Sequence, residues 1–290
     1  MTELFKNITV TIVLYQENYQ IISKCLLNLK NFKIIIVDNF GNYKLREEVI
    51  KKYKIFKYII NKKNLGFSKG TNQAIKLADT DYVLSIQADC KIQIDDIFKL
   101  YQGLRKYENC VIVTPTFYNE KLDLTYSGGP LPEKNIQIKT LNLEGDTCVD
   151  IPTTAAILFQ KKDLIKIGLF DEDFFIYFPD FELGRRIKKT KKSIIQIFGT
   201  KTIHAHGELK VKNFFKKIFF RSYYFTLDEL IYYKKTNSHS YKFNKLKKKI
   251  PKLFFKSILN LIIFRWDKST HSIARILAYY KFKKNLSSID

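Results

Sequence analysis

The stretch from residue 80 to residue 90 constrains the fold more than any other part of the sequence. It is a short apolar run that ends in two oxygen-bearing side chains, Gln87 and Asp89. Such runs, set between segments of helical periodicity, are typical of buried strands in α/β sheets. In these sheets the ligand crevice lies at the carboxyl ends of the strands. Asp89 is therefore placed either to hold a divalent cation that neutralises a diphosphate, or simply to form a turn.

The rest of the first 210 residues alternates strand and helix. Asn64 to Asn72 reads as a loop that opens the helix at 73–78, and residues 115–150 read as a small mixed strand region. This alternation predicts a parallel, doubly wound sheet with a nucleotide-sized crevice. Strands are predicted at 8–14, 33–37, 56–60, 82–86, 111–114, 155–160, 194–198 and 202–203, and helices around 21–29 and at 45–53, 73–78 and 95–107.

The charge of the chain is concentrated at its C-terminal end. The net charge is +23, and residues 211–290 contain 19 lysines and arginines against 4 acids. Helices predicted at 212–235 and 246–284 interleave these cations with aromatic residues. A basic helix with a broad apolar face indicates an in-plane membrane helix, and an anionic membrane surface is the expected partner. A helix packed on the body of the protein and a nucleic-acid-binding helix are the alternatives, with nucleic acid disfavoured.

The cysteines and the N-terminus indicate the compartment. The four cysteines show neither paired nor metal-ligand spacing, which predicts reduced thiols in a cytoplasmic protein. No signal peptide is indicated, and the longest apolar stretch, residues 253–264, is too short to span a bilayer. We therefore expect a cytoplasmic protein that lies on the inner face of the cell membrane.

Residues 168–186 combine acids and aromatics at a density that is unusual for a core. Acids are rarely buried without partners, so this segment predicts a carboxylate-lined pocket with aromatic walls. Asp171, Glu172 and Tyr177 are the residues expected to line it.

Five motifs occur together in a recognisable order. They are Val37-Asp38-Asn39, residues 64–72 (NLGFSKGTN), Gln87-Ala88-Asp89, residues 168–180 (GLFDEDFFIYFPD), and residues 204–207 (HAHG). With them, residues 8–210 resemble a family 2 inverting glycosyltransferase of the GT-A fold, of the bacterial, rhamnosyltransferase-like kind that builds cell-surface polysaccharide. The resemblance implies an α/β fold with a mixed, mainly parallel sheet flanked by helices in a domain at 1–210. Residues 211–290 would form a basic helical extension.

The resemblance also implies a nucleotide-binding set. Asp38 is similar to the acid that binds the uracil or thymine edge, although a turn or helix cap is the alternative role. Gly70 and Asn72 would start a helix whose N-terminus suits phosphate. The implied nucleotide-binding residues are Tyr15, Asp38, Asn64, Gly66, Gly70, Asn72 and Gln87.

Asp89 matches the last acid of the family's metal-binding motif, and Gln87 replaces the first acid. His206 is placed like a histidine that reaches the metal or the diphosphate in relatives. The implied cofactor is Mg²⁺ or Mn²⁺. Because Gln87 lowers the negative charge of the site, it puts tight metal binding in question.

For the catalytic base the resemblance points to Asp180, with Glu182 in reserve. An N-cap is the alternative role for Asp180. Pro179 stands where relatives commonly carry a second acid, and we expect it to hold Phe178 in an extended conformation.

The activity implied is sugar transfer from a UDP- or dTDP-sugar to a glycan or lipid-linked acceptor. A nucleotidyltransferase is disfavoured because residues 15–18, YQEN, contain no glycine for a pyrophosphate loop. Two further alternatives stay open: a catalytically degenerate scaffold that binds nucleotide, and a nucleic-acid binder that acts through the basic tail.

Overall fold

The computed structural model describes residues 2–131, 144–205, 213–236 and 239–286. The helices are α1 Thr2–Asn7, α2 Tyr19–Leu26, α3 Tyr43–Lys52, α4 Gly66–Leu77, α5 Ile94–Lys106, α6 Lys161–Ile167, α7 Pro179–Lys188, α8 Phe214–Lys235, α9 His239–Ile262 and α10 Trp266–Leu286. The strands are β1 Ile8–Leu14, β2 Lys33–Asp38, β3 Lys57–Ile60, β4 Tyr82–Ile86, β5 Cys90–Ile92, β6 Cys110–Thr114, β7 Phe117–Tyr118, β8 Gly128–Gly129, β9 Thr147–Val149, β10 Ile151–Pro152, β11 Ala156–Gln160, β12 Ser193–Gln196 and β13 Thr202–His204.

Eight strands form one central sheet, in the order β3-β2-β1-β4-β11-β6-β12-β9. Strand β1 is parallel to both β2 and β4, β2 is parallel to β3, and β6 is parallel to β12. Strand β11 runs antiparallel between β4 and β6, and β9 closes the far edge antiparallel to β12. The predicted mixed, mainly parallel sheet is confirmed.

Helices cover both faces of this sheet because its central strands are apolar on both sides. One face packs on α2 and α5 through Leu26 and Leu100, and the other packs on α4 and α7 through Ile75 and Leu183. All four of these side chains are fully buried. Each one contributes about 1.5–3 kcal/mol relative to an exposed position. The alternation of apolar strands and amphipathic helices therefore produces the layered structure that was predicted.

Helix α4 begins earlier than the sequence predicted. The segment expected to be a loop up to Asn72 is helical from Gly66 onward. Asn64 accepts a hydrogen bond from the Gly66 N–H at 2.9 Å, and Gly66 has φ +83°, which favours glycine. Gly70 and Asn72 therefore lie inside the helix and do not start it.

The chain divides into two compact units. The first comprises Met1–Asp171 with Pro179–Glu208, and the second comprises Glu172–Phe178 with Leu209–Asp290. In the second unit, α8, α9 and α10 pack on one another. The helix predicted over 246–284 is interrupted at residues 263–265, where Phe264 adopts φ +57°. Two antiparallel helices thus replace one long helix.

Candidate active site

The carboxyl ends of β1, β2 and β4 bring three predicted nucleotide-binding residues to one edge of the sheet. Tyr15 follows β1, Asp38 ends β2 and Gln87 follows β4. These three strands are adjacent and parallel. The rings of Tyr15 and Phe40 meet edge to face at 5.9 Å. This edge is where α/β sheets of this kind bind ligands.

The Asp38 carboxylate closes the turn after β2. It accepts hydrogen bonds from the backbone N–H groups of Phe40, Gly41 and Asn42 at 2.7, 3.1 and 3.0 Å. The Tyr58 hydroxyl donates to it at 3.5 Å. The residue is 1% exposed. The turn-cap role weighed from the sequence is therefore present in the structure, and base recognition by Asp38 stays a prediction.

Two other predicted nucleotide-binding residues lie on the packing side of α4. Asn72 exchanges two hydrogen bonds with the main chain of Phe170, at 2.8 and 3.0 Å. A Cβ on Gly70 would lie 3.0 Å from Val13 Cγ1, so the helix lies tight against β1. In this structure both residues hold the helix in place, and their contacts with a nucleotide stay predictions.

Asp89 lies at the centre of the one group of potential metal ligands found among the described residues. Because β13 is antiparallel to β5, His204 lies opposite Cys90. His204 Nε2 is 3.4 Å from Asp89 Oδ1, and one ligand atom from each of Asp89, Cys90 and His204 lies within 4.8 Å of the others. The predicted ligand His206 lies outside the described residues.

The three side chains of this group differ in what they offer a cation. Cys90 is fully buried, and this burial, with the Asp89 charge beside it, raises the pKa of its thiol well above the ordinary value. A protonated thiol is a poor ligand for a hard cation, whereas a carboxylate oxygen is a good one and an imidazole is an accepted one. Asp89 and His204 are therefore the two residues of this group that could bind a hard divalent cation.

Asp180 lies in the first turn of α7, and the packing of that helix determines its surroundings. A Cβ on Gly184 would collide with the carbonyl oxygen of Asp150, so only glycine lets α7 approach β10 this closely. Burial raises the pKa of the Asp180 carboxyl to about 6. A carboxylate with such a pKa can accept a proton near neutral pH.

Tyr126 lies close enough to this carboxyl to feel its charge. Burial raises the pKa of its phenol, and the charge of Asp180 raises it further. The Tyr126 hydroxyl is buried and finds no hydrogen-bond partner within the described residues. A buried hydroxyl left without a partner costs about 1–3 kcal/mol, so this hydroxyl is a candidate for contact with a ligand.

The backbone before Asp180 differs from the prediction. Phe178 has φ +66°, in the left-handed region, whereas the following proline led us to expect an extended conformation. A non-glycine residue held in a rarely populated backbone region is found disproportionately at functional sites.

Glu182, the reserve base, is already engaged. Its Oε1 accepts a hydrogen bond from Arg186 Nε at 2.6 Å, and the residue is 8% exposed. The same guanidinium donates to the carbonyl oxygens of Ile167 and Leu169. Glu182 therefore orients an arginine that holds the connection between α6 and α7, and this geometry favours Asp180 as the base.

Within the second unit, Asp228 of α8 holds the aromatic segment Glu172–Phe178. Its carboxylate accepts hydrogen bonds from the backbone N–H groups of Phe175, Ile176 and Tyr177 at 3.3, 3.0 and 2.8 Å. Asp228 is fully buried, and burial raises its pKa to about 6. The carboxylate therefore fixes the main chain of the segment.

Side chains of the aromatic segment add further contacts inside the second unit. The Phe175 ring stacks on Tyr224 with centroids 3.9 Å apart, and the Tyr177 ring meets Phe225 at 5.3 Å. Of the predicted acceptor-pocket residues, Tyr177 is therefore held by both main chain and ring. Asp171 belongs to the first unit and is half-buried, and Glu172 belongs to the second and is exposed.

Sequence reasoning missed His204, Tyr126 and Asp228. The HAHG motif contained His204, but the motif could not show the strand register that brings His204 opposite Cys90. Tyr126 and Asp228 lie outside every motif, and only their buried polar atoms distinguish them.

Comparison with known proteins identifies the family. The model described as "Glycosyl transferase family 2" matches residues 9–165, more than half of the chain. The chain belongs to glycosyl transferase family 2. The matched range contains the strand-end residues described above, from Tyr15 to Asp89.

Two curated proteins are similar in sequence to this chain. The dTDP-rhamnosyl transferase RfbF of Shigella flexneri is 24% identical over 213 residues, which is 71% of each chain. The low-salt glycan biosynthesis hexosyltransferase Agl10 of Haloferax volcanii is 25% identical over 186 residues, 59% of this chain and 58% of its own. Both are named as glycosyltransferases, which agrees with the family.

A solved structure shows the same fold. The crystal structure of GalNAc-T7 with UDP, GalNAc and Mn²⁺ aligns with a TM-score of 0.55 at 14% identity, over 68% of this chain and 43% of that one. The predicted GT-A fold is thereby confirmed. In the part of the chain that the structure describes, no helix is both long and apolar enough to traverse a bilayer.

Proposed function

We propose that this protein is a metal-dependent inverting glycosyltransferase that transfers a sugar from a UDP- or dTDP-sugar to a glycan, lipid-linked in the cell, during the synthesis of surface polysaccharide. The observation that carries the proposal is the pair formed by Asp89, which follows β4, and His204, which ends β13, in a chain of family 2. In this proposal residues 1–210 perform the transfer and residues 211–290 contact the membrane.

The donor nucleotide would bind across the strand ends. Tyr15, Asp38 and Gln87 lie there together, and Asn64 and Gly66 form the turn that opens α4. One relative is named as a dTDP-rhamnosyl transferase, and the structural neighbour was solved with UDP. Both nucleotides carry a pyrimidine and a diphosphate, so the proposal includes both.

The donor set fits a hard divalent cation that also has diphosphate oxygens as ligands. Asp89 would supply a carboxylate oxygen and His204 an imidazole nitrogen, 3.4 Å apart. Bound Mg²⁺ or Mn²⁺ neutralises the charge that develops on a departing diphosphate. The remaining acids and amides of the site then need only to orient the donor.

The proton transfer would fall to Asp180. As the acceptor hydroxyl oxygen forms a bond to the anomeric carbon, the bond from that carbon to the diphosphate oxygen breaks, and the nucleoside diphosphate leaves with the electron pair. The hydroxyl proton passes to the Asp180 carboxylate, whose pKa is raised to about 6 by burial. Attack opposite the leaving group inverts the anomeric centre. Asp171, Glu172 and Tyr177 would contact the acceptor.

The partner surface for the C-terminal helices would be the inner face of the cell membrane. Residues 211–290 carry a net charge of +15, from 19 basic and 4 acidic side chains. A surface of this charge is attracted to anionic lipids. Lipid-linked acceptors are found at such surfaces, which gives the enzyme a reason to lie there.

Calorimetric titration with UDP and with dTDP, each with and without Mn²⁺, tests the proposal. We expect metal-dependent binding of at least one nucleotide, and we expect Asp89→Asn to abolish the metal dependence. Asp95→Asn, an exposed acid in the first turn of α5, is the matched control and should bind as the wild type does. A folded protein that binds neither nucleotide would overturn the proposal and favour the degenerate scaffold.

A further inference from the structure

The end of the helical unit where α9 turns into α10 exposes large apolar side chains. Exposure there ranges from 42% for Ile258 to 81% for Phe264. Contiguous apolar patches on a protein surface mark interaction sites. We name this set the apolar tip, which consists of Phe254, Phe255, Ile258, Leu259, Leu261, Ile262, Ile263, Phe264 and Trp266.

The first turn of α8 lies at the same end of the unit. The Phe215 ring lies 6.3 Å from Trp266, and the neighbouring Phe214 is itself exposed. The turn between α9 and α10 is a formed structure, since the Arg265 N–H donates to the Asn260 carbonyl at 2.8 Å. The exposed side chains are therefore presented by ordered backbone.

Small residues fill the interior beside the apolar tip. Ser257 and Ser269 are buried, and their hydroxyls donate to the carbonyl oxygens of Phe254 and Ser257 at 2.7 and 3.0 Å. Farther along α10 the buried residues Ala274 and Ala278 continue this interior. The interior at this end is therefore filled by small residues, and the large apolar side chains lie outside it.

The large apolar core of the unit lies toward the other end of the helices. It consists of Leu230, Leu246, Tyr279 and Phe282, and Ile250 and Leu253 pack against it. Helix α9 thus directs Leu246, Ile250 and Leu253 inward and Phe255, Leu259 and Ile262 outward. The outward residues do not belong to this core.

Charge distinguishes between the possible occupants of this surface. Residues 245–268 contain eight lysines and arginines against one acid, Asp267. Lys252, Lys256 and Arg265 are exposed among the apolar residues. Two copies of such a surface repel each other, whereas an anionic bilayer attracts it.

We propose that the apolar tip inserts into the interface of an anionic lipid bilayer, while the surrounding lysines contact lipid headgroups. No described helix can span the bilayer, so the insertion reaches only the boundary between headgroups and acyl chains. This inference deepens the proposed membrane contact by naming the element that enters the lipid.

The sequence contains a single tryptophan, Trp266, and it lies in the apolar tip. We would add vesicles of phosphatidylcholine with phosphatidylglycerol, or of phosphatidylcholine alone, to the full-length protein. With the anionic vesicles, Trp266 fluorescence should shift to the blue and should be quenched by lipids brominated on their acyl chains. Vesicles of phosphatidylcholine alone should give a much weaker response at physiological salt.

Two single variants, Ile262→Ser and Phe264→Ser, should each weaken vesicle partitioning by about tenfold, since each removes one large side chain from lipid. The control is Leu27→Ser, which removes a 63% exposed leucine of the first unit and should partition like the wild type. Both tip residues are exposed, so their variants should fold, which circular dichroism would confirm.

Three results would overturn the inference: variants that partition like the control, a lipid-independent blue shift that follows protein concentration and dimerisation, or salt-sensitive binding to oligonucleotides without any vesicle response. Donor hydrolysis measured without vesicles should be unchanged in the tip variants. An inactive wild type that still inserts would therefore refute the transferase proposal and leave the lipid contact standing.

Discussion

Removing the Asp228 carboxylate should release the aromatic segment Glu172–Phe178. In Asp228→Ala, the N–H groups of Phe175, Ile176 and Tyr177 lose their acceptor. A buried donor without a partner costs about 1–3 kcal/mol, but local relaxation and entering water recover part of the cost. We expect the free energy of unfolding to fall by about 3–5 kcal/mol.

Asp228→Asn is the milder perturbation, and the geometry determines its size. Ile176 and Tyr177 donate to the same oxygen, Oδ2, whereas Phe175 donates to Oδ1. An asparagine that keeps its oxygen at the Oδ2 position retains two of the three bonds and turns an N–H group toward Phe175. The expected loss of stability is about 1–2 kcal/mol.

The functional consequence follows from the chain itself, because the segment contains Tyr177 and leads directly into Pro179 and Asp180. In Asp228→Asn we expect the KM for the acceptor to rise several-fold and kcat to fall, with donor affinity unchanged. The measurements are chemical denaturation and steady-state kinetics in which donor and acceptor are varied separately.

Glu229→Gln is the matched control for Asp228. Glu229 is the next residue on α8, is partly exposed, and lies 3.6 Å from Lys242. Exposed ion pairs of this kind contribute less than about 1 kcal/mol, so stability and both KM values should stay near those of the wild type. If Asp228→Asn matched this control in stability and in acceptor KM, the carboxylate would not position the segment.

Three other substitutions test the first unit. Asp180→Asn should abolish transfer but keep donor binding, and in the wild type kcat/KM should fall about tenfold per pH unit below about 6, as protonation removes the base. Because the folded pKa of Asp180 is raised, its contribution to stability is present below about pH 4 and is lost as pH rises to about 6, by at most ~3 kcal/mol. Denaturation curves should show that the Asn variant lacks this loss. Tyr126→Phe should raise the free energy of unfolding by about 1 kcal/mol and yet reduce transfer, since it removes a buried hydroxyl without a described partner; an unchanged rate would show that the hydroxyl binds no substrate. Gly184→Ala should lower the free energy of unfolding by about 3 kcal/mol or more, because the added Cβ collides with the carbonyl oxygen of Asp150. Thermal denaturation measures this loss.

The central strands could be predicted from the sequence because a strand that is buried on both faces is a short, continuous run of apolar residues. Residues 8–14 and 82–86 are strands over the predicted ranges. The ends of each apolar run are visible in the sequence, so the ends of the strand can be read from it. The start of α4 could not be predicted in the same way. The first five residues of that helix include Gly66 and Gly70, and its N-cap residue Leu65 makes no side-chain cap, yet packing against β1 overrides the low helix propensity.

The proposed metal ligands Asp89 and His204 show a second kind of limit. The residue types, an acid after β4 and a histidine late in the chain, could be recognised from the sequence, but the pairing of His204 with Cys90 could not. Strand register is fixed by contacts far apart in the sequence, and a slip of one residue would reverse the faces. The sequence therefore supplied the chemistry of the pair and the structure supplied its geometry.

Asp228 shows how far a closer reading of the sequence could have gone. Its three donors lie 51 to 53 residues earlier in the chain, so no local spacing connects them. The sequence did distinguish Asp228 in one way, because acids are rare in this region: only four occur among the last 80 residues. An acid in so basic a region is a candidate for a specific structural role. Its partners could not be predicted, because every residue except proline has a backbone N–H group and the side-chain pattern does not show which of them it binds. The same reasoning makes Asp228, and not one of the many lysines, the first residue of the helical extension to test for an effect on the proposed transfer reaction.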